Sequence, residues 1–166
     1  IAWYRRTFTI PEGSKSGYLR LKFEAVFYLA RVWLNGQYLG QHEGGYTAFE
    51  FDVTSLLKQG GTNVIAVQVD NRRATNRIPV VIRPDWSFDW WNYGGITRDV
   101  LLAEMPATFI KDYKIQLAKN DLKKIEGYVQ LDGANLSQQI KINIPEAGLQ
   151  TTVTTDANGK AAFSIP

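Results

Sequence analysis

The sequence predicts an all-β protein made of two consecutive β-sandwiches. Three observations predict this fold class. Nearly every stretch alternates apolar and polar residues, turn residues separate these stretches, and the composition changes near Pro106. Alternation with period two places successive side chains on opposite faces of a strand. Many short strands with regular turns are typical of antiparallel sandwiches.

The first half of the chain contains the clearest alternating faces. The stretch YLRLKFEAV is predicted to bury every second residue, and NVIAVQV is predicted to do the same. The residues of these two apolar faces are Leu19, Leu21, Phe23 and Ala25, then Ile65, Val67 and Val69. The stretch DVLLAEM is predicted to be the last strand of this half.

Turn signals separate the predicted strands of the first half. Asn35-Gly36 lies inside ARVWLNGQYLG, and this dipeptide is the commonest signal for a tight hairpin. The segment TSLLKQG is predicted to form about one helical turn, with Thr54 as its N-cap and Gly60 as its stop. No longer helix is predicted.

The second half has a different character. After Pro106 there is no Trp, and DYKIQLA, KIEGYVQLDG and QQIKINIP read as amphipathic strands. The stretch TTVTTDANGKAAFSIP is predicted to be a hairpin that turns at Asn158-Gly159. About five strands are expected, fewer than the roughly seven of an immunoglobulin-like sandwich. We therefore expect an incomplete sandwich of that type.

Composition limits the classes of function. The chain has 166 residues and a net charge of +3, with its Lys and Arg scattered rather than in a tract, so a nucleic-acid partner is not expected. No apolar run is long enough to span a membrane. The absence of Cys excludes a disulfide framework, a thiolate nucleophile and zinc-thiolate sites. Because the chain opens on strand-like sequence without an initiator Met, we expect a fragment of a longer polypeptide, and the compartment stays open.

The stretch SFDWWNYGGITRDV is the strongest candidate for binding chemistry. Asp89, Trp90 and Trp91 lie together just before Gly94-Gly95. Aromatic faces stack on the C–H face of a sugar ring, and a carboxylate accepts hydrogen bonds from pairs of hydroxyls. Carbohydrate binding is one interpretation. The alternative is that the tryptophans cover the end of the sandwich while Asp89 accepts from a loop amide.

The other candidates give weaker signals. His42 is the sole histidine, and with Glu43 it supplies at most two metal ligands, so we expect it to be structural and expect no metal or cofactor. Glycoside hydrolysis needs two facing carboxylates. Six residues are candidates only because they carry a carboxylate, and their spacing in the sequence does not indicate which two would face each other. They are Glu24, Glu43, Glu50, Asp85, Asp89 and Asp99. No catalytic residue is therefore assigned within this chain.

Several motifs resemble, in order, the N-terminal sugar-binding domain of glycoside hydrolase family 2. They are WYRRTFTIP, LRLKFEAVFYLARVWLNGQYLGQHEGGYTAFEFDVTSLL, NVIAVQVDNR and DWWNYGGITRDVLL. The resemblance implies a jelly-roll sandwich of the galactose-binding type over 1–106, without the segment that precedes it in the family. It also implies an immunoglobulin-like domain, truncated here, over 107–166. Ala48 stands where the family often has Pro.

The resemblance also implies a function for the parent protein. Family members are β-galactosidases, β-glucuronidases and β-mannosidases, whose two catalytic glutamates lie on a (β/α)₈ barrel outside this sequence. A non-catalytic part of a retaining exo-β-glycosidase is therefore expected, with β-galactoside favoured over β-glucuronide. Its carbohydrate substrate would be held through the barrel, and homo-oligomerisation of the full-length enzyme stays open.

The resemblance assigns a role to one residue. Asp89 matches the family acid that contacts the terminal sugar, followed by Gly95, Ile96 and Arg98 of the same motif. Trp90 and Trp91 are then expected to pack between domains, with stacking on sugar as the alternative. Arg98 and Asp99 are expected to form structural pairs. The competing functions are a free-standing carbohydrate-binding module and a structural spacer.

Overall fold

The structure is a computed structural model that describes residues 1–12, 17–72, 77 and 93–166. The chain divides into two compact units. The first comprises Ile1–Lys15 and Leu19–Glu104, and the second comprises Ser16–Tyr18 and Met105–Pro166. Within the described residues, strands form almost all regular structure, and the one helical element is a 3₁₀ turn at Pro145–Ala147. None of the described helices is long and apolar enough to cross a membrane.

The first unit contains nine strands in its described part. In chain order they are β1 (Ala2–Thr9), β2 (Tyr18–Phe23), β3 (Val26–Phe27), β4 (Leu29–Leu34), β5 (Gln37–Glu43), β6 (Phe49–Asp52), β7 (Thr62–Asp70), β8 (Gly95–Ile96) and β9 (Val100–Met105). They form a four-stranded sheet in the order β1-β7-β4-β5, a three-stranded sheet in the order β6-β2-β9, and the short pair β3-β8.

The core of the first unit lies between its two larger sheets. Val32 and Val67 come from the four-stranded sheet, while Leu21 and Phe23 come from the three-stranded sheet, and all four are in one buried cluster. Every residue of the two predicted apolar faces is buried, which confirms the alternation. Burying such faces against each other is the main stabilising contribution to a sandwich.

The hairpin between β4 and β5 is confirmed at Asn35-Gly36. Both residues have positive φ, 51° and 86°, as a type I′ turn requires. The Asn35 side chain also holds two neighbouring segments of the first unit. Its Oδ1 accepts from the Val64 amide at 2.9 Å, and its Nδ2 donates to the Leu56 carbonyl at 2.8 Å.

The predicted turn near Thr54 is present, because the Val53 carbonyl accepts from the amides of Leu56 at 3.0 Å and Leu57 at 3.2 Å, but its cap differs from the prediction. Residues 54–56 form turns but no helix. Asp52, not Thr54, provides the cap, because its Oδ1 accepts from the Thr54 amide at 3.0 Å. The Thr54 hydroxyl donates to the same oxygen at 2.7 Å and accepts from the Leu19 amide at 2.9 Å. Thr54 therefore ties the turn to β2.

The second unit packs a three-stranded sheet on a two-stranded sheet. Its strands are β10 (Thr108–Ala118), β11 (Asp121–Gly133), β12 (Gln139–Ile144), β13 (Leu149–Thr154) and β14 (Lys160–Ile165). The sheet orders are β10-β11-β14 and β12-β13. Val129, Leu131 and Phe163 from one sheet meet Ile142 from the other. The three strands predicted after Pro106 are confirmed, as is the all-β sandwich fold class. In β10, however, the apolar residues Tyr113, Ile115 and Leu117 are exposed rather than buried.

The predicted hairpin at Asn158-Gly159 is wrong. A turn does occur there, with Gly159 at φ 78°. However, β13 pairs with β12 while β14 pairs with β11, so the chain crosses between sheets. Asp156 Oδ1 accepts from the amides of Asn158 at 2.8 Å and Lys160 at 2.9 Å. This closes the turn locally, so it needs no ladder between the flanking strands.

Candidate functional site

The predicted site residues Asp89, Trp90 and Trp91 lie outside the described residues, as does the candidate Asp85. Described residues flank their segment on both sides along the chain. Arg77 precedes it and Tyr93 begins the part that follows. The contacts of these flanking residues show what holds the chain before and after the segment.

The chain that follows the candidate segment is fixed to the strand β3 and its neighbours. Ile96 pairs with Val26, and Gly95 pairs with Phe27. One residue further, the Thr97 amide donates to the Ala25 carbonyl at 3.1 Å. These contacts form a continuous run of backbone pairing at the end of the sandwich.

The two glycines at this point are required by close packing. Gly95 has φ +113°, and a Cβ added to it would lie 2.5 Å from the Tyr4 hydroxyl oxygen. A Cβ on Gly94 would collide with the Asn71 side chain. Only glycine permits this backbone conformation and this approach together. The glycines therefore fit the chain against β1 and the end of β7, a role that the sequence did not reveal.

A depression of about 260 Å³ lies beside this anchored segment. Tyr46 and Tyr93 are 66% and 76% exposed, and both rings line it together with the Arg98 side chain. The Phe27 ring forms part of the wall and packs directly on Gly45, where any side chain would clash. The depression thus offers two exposed rings and a guanidinium. Among the described residues, Arg98 and Asp99 form no ion pair, and their expected structural pairing stays a prediction.

An ion-pair network holds the chain just before the candidate segment. Asp70, at the end of β7, is 3% exposed. Its two carboxylate oxygens accept from Arg72 Nε at 3.0 Å and Nη2 at 2.8 Å. Arg77 Nη1 lies 3.5 Å from Asp70 Oδ1 and donates to the Arg72 carbonyl at 3.0 Å. Arg77 Nε also lies 3.6 Å from Glu43.

These contacts shift the pKa of Asp70. The hydrogen bonds from the Arg72 side chain, followed by the Arg72 amide and the charges of both arginines, hold the pKa of this carboxyl well below its usual 3.8. Burial works in the opposite direction but is outweighed. Asp70 is therefore an ionised anchor. The stretch VDNRRATNR contains Asp70, Arg72 and Arg77, but the sequence did not predict that they pair with each other.

His42 has packing contacts in the structure. Its ring stacks on Phe49 with centroids 4.3 Å apart and an interplanar angle of 13°. Its Nε2 lies 3.0 Å from the Thr47 hydroxyl. These contacts agree with the structural role expected for it. Across the described ranges, no three His, Asp or Glu side chains cluster in a way that could hold a metal ion.

The described carboxylates do not form an evident catalytic pair. Glu43 is engaged with Arg77, and Glu24 lies 3.9 Å from Lys22 Nζ. Glu50 is exposed on β6, and the Asp99 backbone carbonyl accepts from the Glu24 amide at 3.0 Å.

Comparison with protein families identifies the chain. A model described as glycosyl hydrolases family 2, sugar binding domain, matches residues 1–106. The chain belongs to glycosyl hydrolase family 2. This confirms the resemblance found in the motifs around Trp3 and Asp89.

The relatives of this family 2 chain are glycosidases. It is 41% identical over 114 residues to a β-galactosidase of Thermoanaerobacter pseudethanolicus, covering 68% of this chain and 15% of that enzyme. It is 33% identical over 165 residues to a β-glucuronidase of Formosa agariphila, covering 96% of this chain and 15% of that enzyme. The chain thus spans about a seventh of the length of these two relatives.

Solved structures give the same family. The Bifidobacterium dentium β-glucuronidase, complexed with coumarin-3-O-glucuronide, matches with a TM-score of 0.75 and 28% identity, covering 98% of this chain and 33% of that one. A putative β-galactosidase from Bacteroides fragilis matches with a TM-score of 0.74 and 26% identity, covering 98% of this chain and 26% of that one. The family 2 chain is therefore similar in fold to parts of much larger enzymes.

Proposed function

We propose that the chain is the non-catalytic N-terminal portion of a retaining exo-β-glycosidase that removes terminal sugars from β-glycosides. One observation carries the proposal: the chain matches glycosidases along most of its length while spanning only 15% of the first two relatives. The two carboxyl groups of a retaining glycosidase stand about 5 Å apart across the scissile bond. In this proposal the rest of the enzyme supplies both.

The contribution of this chain is one wall of the sugar site, through Asp89. Support comes from both sides of the segment that carries it. The Asp70–Arg77 contacts hold the chain before the segment, and the pairing of Gly95 with Phe27 holds the chain after it. In this proposal the Asp89 carboxylate accepts hydrogen bonds from sugar hydroxyls.

The substrate class we favour is a β-galactoside, with a β-glucuronide as the neighbouring choice. The relative with 41% identity is a β-galactosidase, which supports this preference. The β-glucuronidase of Formosa agariphila has lower identity but covers more of the chain. Assays on both aryl glycosides separate the two.

The experiment is to change Asp89→Asn in the full-length enzyme and measure kcat/KM on aryl β-galactoside and aryl β-glucuronide. The amide keeps the shape but loses a charged acceptor, and a hydrogen bond to a charged group contributes about 1.5–3 kcal/mol. A loss of roughly ten- to hundred-fold is expected on the true substrate.

Asp99→Asn is the matched control, because it makes the same chemical change in an exposed residue of the same motif. Its kinetics should stay close to those of the unchanged enzyme. If Asp89→Asn leaves both activities unchanged, the carboxylate has no role in the sugar site. If both variants lose activity equally, the loss reflects the loop rather than a sugar contact.

A free-standing carbohydrate-binding module is the second candidate. The exposure of Tyr46 and Tyr93 at the depression favours it, since rings left open to solvent can stack on sugar. A titration of the 166-residue chain with galactose, glucuronic acid and mannose separates the candidates. Saturable binding well below about 1 mM, which corresponds to roughly 4 kcal/mol, would favour the module.

A further inference from the structure

An aromatic patch lies on the outer face of the four-stranded sheet. It consists of Trp3, Arg5, Arg31, Trp33, Tyr38 and Gln68. Arg31 and Trp33 on β4 and Gln68 on β7 alternate with buried core residues. Trp3, Arg5 and Tyr38 lie directly opposite residues of that same sheet face. The patch therefore faces away from the interior of the first unit.

The register of the sheet brings the six residues together in two neighbouring rows. In one row, Gln68 of β7 lies between Trp3 and Arg31. In the next row, Ala66 lies between Arg5 and Trp33, and Trp33 is followed by Tyr38. The small side chain of Ala66 leaves room for the rings on either side.

The three rings form a continuous surface. Trp3 and Trp33 have centroids 5.2 Å apart, and Trp33 and Tyr38 are also 5.2 Å apart. Trp3 is 61% exposed and Tyr38 is 48% exposed. Large apolar side chains exposed as a group mark interaction sites more often than isolated ones do.

The orientation of the rings favours a single, curved chain as ligand. Successive rings are tilted by 36° and 49°, so they do not form a flat plane. The ring spacing is close to the length of one pyranose unit. The exposed parts of Trp3 and Tyr38 can contact the apolar faces of sugars in a soluble, twisted chain.

Polar groups beside the rings are held in place before any ligand binds. Arg31 Nη1 donates to Gln68 Oε1 at 2.8 Å, and Arg31 Nε donates to Gln41 Oε1 at 3.3 Å. Because both amide oxygens are used by Arg31, the amide N–H groups of the two glutamines remain as donors. Fixed donors beside aromatic faces are a common recognition scheme for small polar ligands.

The charge of the patch selects among sugar chains. The six residues include two guanidinium groups and no carboxylate. A guanidinium can bind a carboxylate through two parallel hydrogen bonds. A stable protein–protein interface has about 20–30 residues a side, far more than this patch provides. A small ligand with acidic sugars fits both its size and its charge.

We propose that this patch binds an oligosaccharide containing uronic acids. The rings stack on the sugars, and Arg5 and Arg31 pair with their carboxylates. A shallow surface of three rings supports only weak binding, with a Kd on the order of 1 mM. This would keep the protein near an acidic glycan.

The test is a titration of the 166-residue chain with tetragalacturonate and with the neutral tetrasaccharide of galactose, followed by tryptophan fluorescence. Saturable binding of tetragalacturonate is expected, and Trp3→Ala should weaken it by about tenfold or more. Arg5→Gln should weaken binding of the acidic chain several-fold and leave that of the neutral chain unchanged. Higher salt should weaken only the acidic chain.

Tyr113→Ala is the matched control, since Tyr113 is an exposed ring in the second unit. It should bind like the unchanged chain. No saturable binding of tetragalacturonate, or equal loss in Tyr113→Ala, would overturn the proposal. So would preference for the neutral chain, or self-association that Trp3→Ala abolishes, because the latter would assign the patch to a second copy of the protein.

Discussion

At the scale of single residues, Asp70 contributes most to holding the chain that precedes the candidate segment. It is a buried carboxylate whose charge is balanced by Arg72 and Arg77. Removing one member of such a group leaves the remaining charges with poorer partners. The network also reaches Glu43 at the end of β5, which is separated from β7 by β4 in the sheet. Loss of the Asp70 carboxylate should therefore destabilise the end of the four-stranded sheet.

Asp70→Asn should lower the free energy of unfolding of the first unit by about 2 kcal/mol at pH 7, because charged hydrogen bonds are lost. The folded pKa of Asp70 is lowered, so its contribution is complete above the unfolded value near 3.8 and is lost as the pH falls below it. The difference between variant and parent should thus narrow toward pH 2. Urea unfolding at pH 7 and at low pH measures this.

The exposed Asp99→Asn is the control for this measurement and should change the unfolding free energy by less than about 0.5 kcal/mol. A pH-independent difference for Asp70→Asn would show that shape, rather than charge, is what Asp70 contributes.

Contacts between individual residues that are distant in the sequence could not be predicted. The motif predicted a functional loop at Asp89, and the types of residue were evident. The close approach of Gly95 to Tyr4 was not, because the two residues are far apart in the sequence. The pairing of Arg77 with Glu43 has the same origin. A pattern within one segment carries no information about which distant segment lies beside it.

At the scale of elements, the Asn35-Gly36 hairpin shows how a local signal and distant contacts agree. The turn conformation follows from the dipeptide. The Asn35 side chain then bonds to Val64, Leu56 and Asn63, which belong to other parts of the first unit. The hairpin is therefore fixed to its sheet as well as closed.

Asn35→Ala should destabilise the first unit by roughly 2–3 kcal/mol, since it removes three hydrogen bonds and leaves buried Asn63 with fewer partners. The alanine would also have to adopt positive φ. Chemical denaturation followed by tryptophan fluorescence measures the change. Gln37→Ala, an exposed position next to the turn, should have little effect. Equal stability of Asn35→Ala and the parent would contradict this role.

Elements were predicted well where alternation decided them and less well where a turn had to be assigned to a sheet. The faces of β2 and β7 follow from period two alone. The Asn158-Gly159 turn looked like a hairpin, but its strands belong to different sheets. Thr155 contributes to this crossing, because its hydroxyl donates to the carbonyl of Leu136. Such contacts cannot be read from turn residues.

At the scale of the whole molecule, the all-β class and the family could be predicted because many weak signals agree along the chain. Alternation, turns and several ordered motifs all indicate the same fold. The jelly-roll and immunoglobulin-like names, and the domain limits at 106 and 107, stay predictions. So does the role of Asp89, which depends on residues elsewhere in the proposed enzyme.

The central claim is that the chain is a non-catalytic part of a larger glycosidase. The most direct test compares the purified 166-residue chain with the full-length enzyme on aryl β-galactoside and aryl β-glucuronide. The full-length enzyme should hydrolyse at least one of them, with the β-galactoside preferred, while the chain alone hydrolyses neither. Hydrolysis by the chain alone, or none by the full-length enzyme on either substrate, would contradict the claim.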